Sequence, residues 1–344
     1  METRIVKIDE NNINEAEMKL LGKIIAAGGL VAFPTETVYG LGADAFNDEA
    51  VKSIYTAKGR PSDNPLIVHF ARVDDIYSAV REVPQKAKEL FLKFSPGPLT
   101  VILKKSDRVS ETVTAGLDTV AVRIPSDKIA RALISASGVP IAAPSANLSG
   151  KPSPTTPKYV IEDMSGRVDA IIEGKDCDVG VESTIIDMSC EPPVILRPGG
   201  ITLEQIKEIV PDVTIDRFVL EAISVKDKPK CPGMKYKHYA PDADVTVVEG
   251  ELDEIRKKIR ELLIKNSDKK VGVLCYDDAH YDADCVIMSG KDNKEYAKNL
   301  FKKLREFDEK GIEVVFAEFV FDKGYGLAVK NRLYKSAGNK VIYV

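Results

Sequence analysis

The sequence lacks the residue patterns of a redox-active, zinc-binding or membrane protein. Of its 344 residues five are cysteines, and none of them form a CxxC pair, so neither a zinc ribbon nor a dithiol redox motif is indicated. No apolar run approaches the length of a membrane span, and the opening segment METRIVKIDE holds no long apolar region. An odd, scattered set of cysteines is typical of a reducing compartment. We therefore expect a cytoplasmic protein whose cysteines mostly fill small core positions.

An excess of positive charge is also absent. The formal net charge is −4 at pH 7, which argues against a broadly basic nucleic-acid surface but is compatible with a local basic cleft. Hydrophobic residues make up 44% and charged residues 30% of the chain, a balance typical of soluble globular proteins. The length suits two domains, each able to bury a core.

The most informative stretch runs from Phe33 to Phe70. It begins where an apolar run, Leu30 to Phe33, predicts a buried strand that ends at Pro34. The block PTETVYGLG then carries hydroxyl groups into a predicted turn. We expect Gly40 and Gly42 to let the backbone bend tightly there or approach another group closely.

The second block of this stretch, KGRPSDNPLIVHF, places cations at the end of a predicted helix. The helix spans Asp48 to Lys58 with Asn47 as its N-cap, and it stops at Gly59 before Arg60. A strand that carries His69 follows. Hydroxyls, cations and a histidine at the ends of two strands indicate a polyanion site. The alternative is an ordinary α/β unit, because a Lys-x-Arg pair at a helix C-terminus is favourable with the helix dipole alone.

Arg123 interrupts an otherwise apolar strand in the segment TVAVRIP, which starts at Thr119. An unpaired buried charge is expensive, so this arginine has a partner. That partner is either a ligand or a carboxylate in an internal salt bridge.

Polar groups also lie at the ends of three later strands. The segment VPIAAPSANLSGKPSPTT runs from an apolar strand into a loop with Ser145, Asn147, Ser149 and Ser153. Ser183 precedes a strand, and Arg197 ends another beside a glycine pair. Ligands of α/β sheets bind where strands deliver small polar groups at their carboxyl ends, although such loops are often mere connections.

The last third of the chain reads as a linker and a second α/β domain. The linker contains CPGMKYKHYAP, whose tyrosines, histidine and lysines favour an ordered lid over a solvated connector. From Asp244, strands alternate with amphipathic helices, which predicts a small doubly wound sheet. This domain shows no GxGxxG, P-loop or nucleophile elbow, so we expect it to serve association, lid anchoring or regulation.

These motifs together resemble the YrdC-type family of threonylcarbamoyl-AMP synthases. The resemblance rests on PTETVYGLG, KGRPSDNPLIVH, PGPLTVIL, VAVRIP, APSANLSGKPSPT, ESTIID and ILRPGG. The linker and the second domain are similar to the longer, two-domain members. The resemblance implies an α/β fold in which a YrdC-like twisted mixed-sheet domain precedes a small Rossmann-like doubly wound parallel-sheet domain. The expected boundaries are 1–212 for the catalytic domain, 213–243 for a linker and lid over the active site, and 244–344 for the C-terminal domain.

The resemblance also implies a reaction. L-threonine, bicarbonate and ATP give threonylcarbamoyl-AMP and pyrophosphate, and a downstream enzyme complex transfers the threonylcarbamoyl group to an adenosine beside the tRNA anticodon. Adenylation of this kind needs no protein nucleophile, since the carboxylated amine attacks the α-phosphorus. Catalysis is then positioning and charge neutralisation, mainly by Lys58 and Arg60. The sequence agrees, because no Ser-His-Asp or Cys-His triad is evident.

The family pattern assigns the site residues in two groups. The expected ATP-binding residues are Lys58, Arg60, Asn64, Thr119, Ser145, Asn147, Ser153, Arg197, Tyr236 and His238. The expected threonine-binding residues are Thr35, His69, Arg123 and Ser183, with Arg123 pairing the carboxylate; His69 has the alternative of a satisfied core histidine. Mg²⁺ is expected on the ATP phosphates without a dedicated carboxylate site, although Glu36 and Glu182 could help indirectly.

Two other function classes are compatible with parts of the chain. A carbamoyl-adenylate-forming factor of the hydrogenase-maturation type contains a YrdC module, but it adds modules with CxxC motifs that this chain lacks. An RNA-binding module would depend on phosphate charge and weaken steeply with salt. The acidic chain makes weak RNA binding a secondary property.

Overall fold

The computed structural model describes residues 2–219, 231 and 239–344. The chain divides into two compact units. Among the described residues, unit 1 comprises 2–149, 153–219 and 231, and unit 2 comprises 150–152 and 239–344. No helix within these described ranges is long and apolar enough to cross a membrane.

Unit 1 is built on one mixed sheet of eleven strands. The strands are β1 (Arg4–Lys7), β2 (Val31–Phe33), β3 (Gly40–Asp44), β4 (Ile67–His69), β5 (Leu99–Lys104), β6 (Thr119–Arg123), β7 (Ile141–Ala143), β8 (Ala170–Glu173), β9 (Thr184–Asp187), β10 (Val194–Arg197) and β11 (Thr214–Ile215). Their spatial order is β1-β8-β2-β3-β7-β4-β6-β5-β9-β10-β11. Near the centre, β4 and β6 are parallel, β5 is antiparallel to β6, and β9 is parallel to β5.

Five of the seven helices described in unit 1 begin at a residue whose side chain caps the first turn. The seven are α1 (Glu15–Ala26), α2 (Asp48–Lys58), α3 (Gln85–Phe94), α4 (Glu111–Thr114), α5 (Lys128–Ser137), α6 (Pro157–Met164) and α7 (Leu203–Lys207), with 3₁₀ turns at Val73–Ser78 and Arg217–Val219. The Asn47 side chain accepts from the first amides of α2, and Gly59 ends that helix with a left-handed φ of 61°. This cap fixes the end of the helix, so that Lys58 is its last residue and Arg60 follows the turn at Gly59.

Strand alternation separates two sides of the central strands. Val68 of β4, Val101 of β5 and Val122 of β6 belong to the main core cluster on one side. A smaller apolar cluster on the other side contains Ile67, Ile102, Ala121, Ile185, Leu196 and Cys231. Successive residues of a strand face opposite sides of the sheet. A residue two positions along the strand from a member of this smaller cluster therefore lies on the same side as that cluster.

Unit 2 is a five-stranded parallel sheet with the order β14-β13-β15-β12-β16. Its strands are β12 (Asp244–Glu249), β13 (Val271–Cys275), β14 (Cys285–Met288), β15 (Val314–Phe319) and β16 (Val341–Tyr343). Its helices are α8 (Leu252–Lys265), α9 (Asn293–Glu309) and α10 (Gly326–Ser336).

The winding of unit 2 follows from this strand order. From β12 the chain crosses to β13 and β14 in one direction, and β15 then starts the return towards β16. Helix α8 packs Ile255 and Ile259 against Val273 on one face. The ring of Phe307 on α9 lies over Gly272 on the other face, where a side chain would collide with it. The predicted class, a mixed-sheet domain followed by a doubly wound parallel sheet, is therefore confirmed.

Of the two roles expected for Gly40 and Gly42, the close approach to another group is confirmed and the tight bend is not. Both glycines lie in β3, a strand that the sequence analysis missed. Their role is close packing, since a Cβ on Gly42 would lie 2.8 Å from the Phe33 ring and 2.7 Å from Ile141. Glycine lowers the strand signal, and the strand is recognisable only from its pairing with β2 and β7.

Candidate functional site

A row of polar side chains crosses four neighbouring strands of unit 1. In register, His69 of β4 lies beside Arg123 of β6, and Arg123 lies beside Thr100 of β5. The Thr100 hydroxyl is 2.7 Å from the hydroxyl of Ser183, which precedes β9. The row lies on the side of the smaller apolar cluster, because these positions alternate with main-core valines. Three of the predicted threonine residues are thus brought together.

Arg197 joins this row through a bulge in β10. The register of β10 against β9 shifts between Ile195 and Arg197, so that Arg197 opposes Ile185. Leu196 is the extra residue, and a bulge of this kind turns the following side chain. The Arg197 Nε donates to the Ser183 carbonyl at 3.0 Å and its Nη2 to the Ser183 hydroxyl at 3.0 Å. The predicted ATP residue Arg197 therefore adjoins the predicted threonine residue Ser183.

Arg123 is 4% exposed and has partners from the PTET segment. Its Nη2 donates to the Thr37 hydroxyl at 2.9 Å and lies 2.8 Å from Glu36 Oε1. Its Nε is buried without a hydrogen-bond partner. The internal salt bridge considered from the sequence is therefore present, and the guanidinium retains an unused donor for a further group.

Thr35 uses its hydroxyl to build its own turn. The hydroxyl donates to the Val38 carbonyl at 2.6 Å and accepts from the Thr37 and Val38 amides at 3.2 and 3.3 Å. The Thr35 hydroxyl also lies 2.9 Å from that of Thr37. Such a turn holds Glu36 and Thr37 beside Arg123. Thr37 was not among the sequence predictions, although its spacing of two residues from Thr35 was visible.

His69 is buried and neutral. Its Nδ1 lies 3.1 Å from the Ile67 carbonyl, and the ring meets the Phe33 ring edge-on at 6.2 Å. Burial, followed by the nearby charge of Arg123, lowers the pKa of His69 to about 3. These contacts match the alternative of a satisfied core histidine, while its place beside Arg123 keeps it within the row.

Lys58 lies at the loop that follows β7. It is 3% exposed, and its Nζ donates to the Asn147 carbonyl at 2.6 Å and to the Ser145 carbonyl. The Ser145 hydroxyl donates to Asn147 Oδ1 at 2.5 Å. The amide of Ser149 in turn donates to the Lys58 carbonyl at 2.9 Å. Three predicted nucleotide residues thus form one contact group.

Arg60 and Asn64 lie together after α2. The Arg60 Nη2 is 3.4 Å from the Asn64 carbonyl, and its guanidinium is 5.9 Å from the centre of the Tyr55 ring. Neither the nitrogen nor the oxygen of the Asn64 side-chain amide, which is 1% exposed, has a hydrogen-bond partner among the described residues. A buried amide without partners marks a position where a polar ligand or water fits.

The PTETVY segment connects the arginine row to the serine-rich loop. The backbone carbonyl of Tyr39 accepts a hydrogen bond from the Ala146 amide at 2.8 Å, and the backbone amide of Tyr39 donates to the Pro154 carbonyl at 2.9 Å. Ser153, 1% exposed, donates to Glu182 Oε1 at 2.7 Å beside Ser183. Backbone contacts therefore join the groups around Lys58, Ser153 and Arg123 into one region.

Thr119 lies apart from this region. It starts β6, whereas Arg123 ends it, so about 13 Å of strand separate them at ~3.3 Å per residue. Both face the same side of the sheet with Ala121 between them. Tyr236 and His238 lie outside the described residues.

One described residue of the predicted linker packs on this side of unit 1. Cys231 is completely buried in the smaller cluster, against residues that include Ile67, Ala121 and Leu196. It therefore covers the apolar surface between the polar row and Thr119. The thiol acts here as a small core residue, as do Cys177 and Cys275, which are also buried.

The arrangement is suited to binding an anionic molecule rather than to nucleophilic attack. The buried guanidinium groups of Arg123 and Arg197 face hydroxyls, and Lys58 contacts carbonyl oxygens. Across the described ranges, no group of three or more His, Cys, Asp or Glu residues could hold a metal ion. Thr100, which the sequence analysis missed, is a polar break in an apolar strand, the same pattern that identified Arg123.

Comparisons with known proteins place the whole chain among similar sequences. A family model of Sua5, YciO and YrdC proteins, described as telomere recombination, matches residues 23–199. A second model, described as the C-terminal domain of threonylcarbamoyl-AMP synthase, matches residues 201–338.

Relatives and a solved structure cover almost the full length. The threonylcarbamoyl-AMP synthase of Pyrococcus abyssi is 50% identical and covers 99% of this chain and 100% of its own. That of Bacillus subtilis is 46% identical, covering 97% and 96%. The crystal structure of P. abyssi Sua5 complexed with L-threonine has a TM-score of 0.95 at 49% identity, covering 99% of this chain and 100% of that one.

Proposed function

This chain belongs to the Sua5/YciO/YrdC family, and from that premise we propose that it is a threonylcarbamoyl-AMP synthase. The enzyme joins L-threonine, bicarbonate and ATP into threonylcarbamoyl-AMP and releases pyrophosphate. The observation that carries the proposal is the pair of buried guanidinium groups, Arg123 and Arg197, linked through Thr100 and Ser183 across one sheet. Two cations and a row of hydroxyls are suited to an amino-acid carboxylate beside a polyphosphate.

The amino acid binds at the Arg123 end of the row. Arg123 pairs with the threonine carboxylate through donors that include its unused Nε. Ser183 adds a hydroxyl, and neutral His69 closes the row beside Arg123. Thr35 contributes through the turn that fixes Glu36 and Thr37.

The nucleotide occupies the cationic groups around that end. Lys58, Arg60 and Arg197 neutralise the triphosphate, and the hydroxyls and amides of Asn64, Ser145, Asn147 and Ser153 hold phosphate or nucleoside oxygens. The unpartnered Asn64 amide supports this assignment. Thr119 contacts the nucleoside at the far end of β6, and Tyr236 and His238 complete the pocket from the linker. That linker segment acts as a lid, which the burial of Cys231 on unit 1 supports.

Mg²⁺ accompanies ATP in this proposal. The hydroxyl- and amide-rich residue set has no carboxylate cage among the described residues, so the ion would depend on phosphate and water oxygens. When bound, it supplies positive charge to the phosphates. The protein's own contribution is to orient the carbamate oxygen of carboxylated threonine towards the α-phosphorus and to exclude water from the labile carbamate.

We further propose that the product passes to a separate transferring enzyme that modifies tRNA beside the anticodon, in the cytoplasm. RNA binding by this chain itself is a minor candidate, because the net charge is −4.

Pyrophosphate release by the purified chain tests the proposed function. ATP and Mg²⁺ are held constant while threonine and bicarbonate are omitted in turn, with no RNA present. Release that requires both substrates is the expected result. Release that needs neither would indicate a plain ATPase, and threonine dependence without bicarbonate would indicate ordinary amino-acid activation. Absence of release under every condition would contradict the proposal.

A further inference from the structure

Glu36 is a buried carboxylate beside Arg123, and it has no role in the reaction as described so far. It is 6% exposed, and Arg123 Nη2 lies 2.8 Å from its Oε1. Even so, neither carboxylate oxygen accepts a well-directed hydrogen bond from the described residues. A buried carboxylate without donors is costly, so such a group in a native protein indicates a missing partner.

The charges of Glu36 and Arg123 complement those of an amino acid. A free α-amino acid carries a carboxylate and an ammonium group on the same carbon atom. A carboxylate held 2.8 Å from a guanidinium presents the reverse pair of charges at a similar spacing. If Arg123 binds the carboxylate, the ammonium group therefore meets the two open acceptors of Glu36.

Resting on the proposed function, we propose that Glu36 is a catalytic residue that binds the threonine ammonium group and accepts its proton before carboxylation. In this step one N–H bond of the ammonium breaks and an O–H bond forms on Glu36. The neutral nitrogen attacks the bicarbonate carbon, a C–N bond forms, and the leaving hydroxide takes a second nitrogen proton to give water. The carbamate oxygen then displaces pyrophosphate from the α-phosphorus, and Glu36 returns its proton to solvent.

Other ionisable groups near Glu36 do not change charge between pH 7 and 9. Burial, and then the charge of Glu36, raise the pKa of Asp127 at the start of α5 to about 6, with a smaller contribution from Glu10, so Asp127 is ionised. Burial raises the pKa of the Cys177 thiol, which stays protonated. His69, whose pKa is lowered to about 3, is neutral. A pH dependence in this range therefore reports on the substrates, chiefly the threonine ammonium group.

The test is the pH profile of pyrophosphate release by Glu36→Gln, with threonine, bicarbonate and ATP. Glutamine keeps the shape of the side chain but cannot accept the proton. At pH 7 we expect kcat to fall on the order of 100-fold, the usual contribution of a general base. The loss shrinks towards pH 9.5, because the threonine amine then loses its proton to solvent. The KM for threonine rises, and the KM for ATP stays the same.

Two further variants make the outcome decisive. Glu36→Asp keeps a carboxylate, so it should retain the wild-type pH profile at a lower rate even if the site is distorted. Asp187→Asn removes another buried carboxylate, away from the row, and should leave the profile unchanged. A loss that is constant from pH 7 to 9.5 would overturn the inference and leave Glu36 as a support for Arg123. A raised Mg²⁺ requirement would overturn it in favour of a metal ligand.

Failure of the proposed function is separable from failure of this inference. Wild-type protein that does not require threonine and bicarbonate contradicts the synthase reaction. Normal wild-type release with an unaltered Glu36→Gln profile contradicts the Glu36 step alone.

Discussion

Both units bury charged and polar side chains near the ends of their central strands, but the two groups differ in how completely they are bonded. In unit 1, Glu36, Asn64 and the Nε of Arg123 are buried with open hydrogen-bonding positions. In unit 2, Glu318 of β15 is completely buried and accepts from the Tyr281 hydroxyl at 2.6 Å, the Tyr276 amide at 2.9 Å and Arg256 Nε at 3.3 Å.

The unit 2 network continues without a gap into its neighbours. The Tyr276 hydroxyl donates to Asn293 Oδ1 at 2.6 Å, and the Asn293 amide nitrogen donates to the Val320 carbonyl at 2.9 Å and to Asp322 at 2.8 Å. Arg256 also reaches Asp277 at 2.6 Å. A network in which every donor and acceptor has a partner rigidifies a fold. Buried donors and acceptors without a partner indicate a position where a ligand or water binds. The comparison therefore places function in unit 1 and a structural role in the unit 2 network.

The largest expected effect comes from Lys58→Ala in unit 1. If Lys58 neutralises phosphate charge as proposed, its removal should reduce pyrophosphate release on the order of 1,000-fold, as loss of a preorganised donor does in other active sites. The variant should unfold at a temperature close to that of the wild type, since Lys58 bonds to carbonyl oxygens of a loop. Steady-state rates and thermal unfolding measure the two effects. A severe loss of stability with a proportional loss of activity would make Lys58 a structural residue.

Arg123→Ala should act on threonine more than on ATP. The KM for threonine is expected to rise on the order of 100-fold, because truncating one partner of a buried charged pair costs about 2–5 kcal/mol. The KM for ATP should change far less. Titrating each substrate at saturating levels of the other measures the split, and equal losses for both substrates would remove Arg123 from the threonine site.

The sequence predicted the elements of the site better than their contacts. The bounds of α2 follow from Asn47 and Gly59, so the position of Lys58 was predictable from local caps. The bonding of Arg123 to Thr37 joins residues 86 positions apart, and Arg197 reaches Ser183 only through a bulge. Local patterns contain no register, so they could not predict either contact.

The hydrogen-bond network around Glu318 in unit 2 could not be predicted from the sequence either. Glu318 stands in VVFAEF, where one charge in an apolar strand resembles Arg123 in TVAVRIP. The difference between a satisfied charge and an open one depends on partners from distant elements. A charged residue in a buried strand therefore predicts a structural or a ligand-binding role. Only the contacts seen in the structure distinguish the two.

Arg256→Ala tests the structural half of the comparison. Loss of this arginine leaves the Glu318 carboxylate buried with neutral donors, which should lower the free energy of unfolding by about 2–3 kcal/mol. That is less than for a completely enclosed pair, because the Arg256 side chain is 21% exposed. Denaturant unfolding measures the loss, and the kinetic constants should not change. Lys258→Ala on the same helix removes an exposed pair with Glu261 and should have no measurable effect. A large rise in either KM for Arg256→Ala would contradict the assignment.

The smallest expected effect concerns His69, whose Nδ1 has a hydrogen-bond partner although it lies beside Arg123 with its unpartnered Nε. Its pKa is about 3 when folded, below the usual 6.5, so the unfolded chain binds the proton more tightly. The resulting stability is present above pH 6.5 and is lost as the pH falls from 6.5 towards 3, by about 2 kcal/mol at pH 5. His69→Gln should therefore destabilise the protein less at pH 5 than at pH 7.5 by that amount, measured by denaturant unfolding at both values. His280→Gln, at an exposed histidine, is the matched control variant. An equal cost of His69→Gln at both pH values would mean that His69 is charged in the folded protein, and the row would then present a third cation to its ligand.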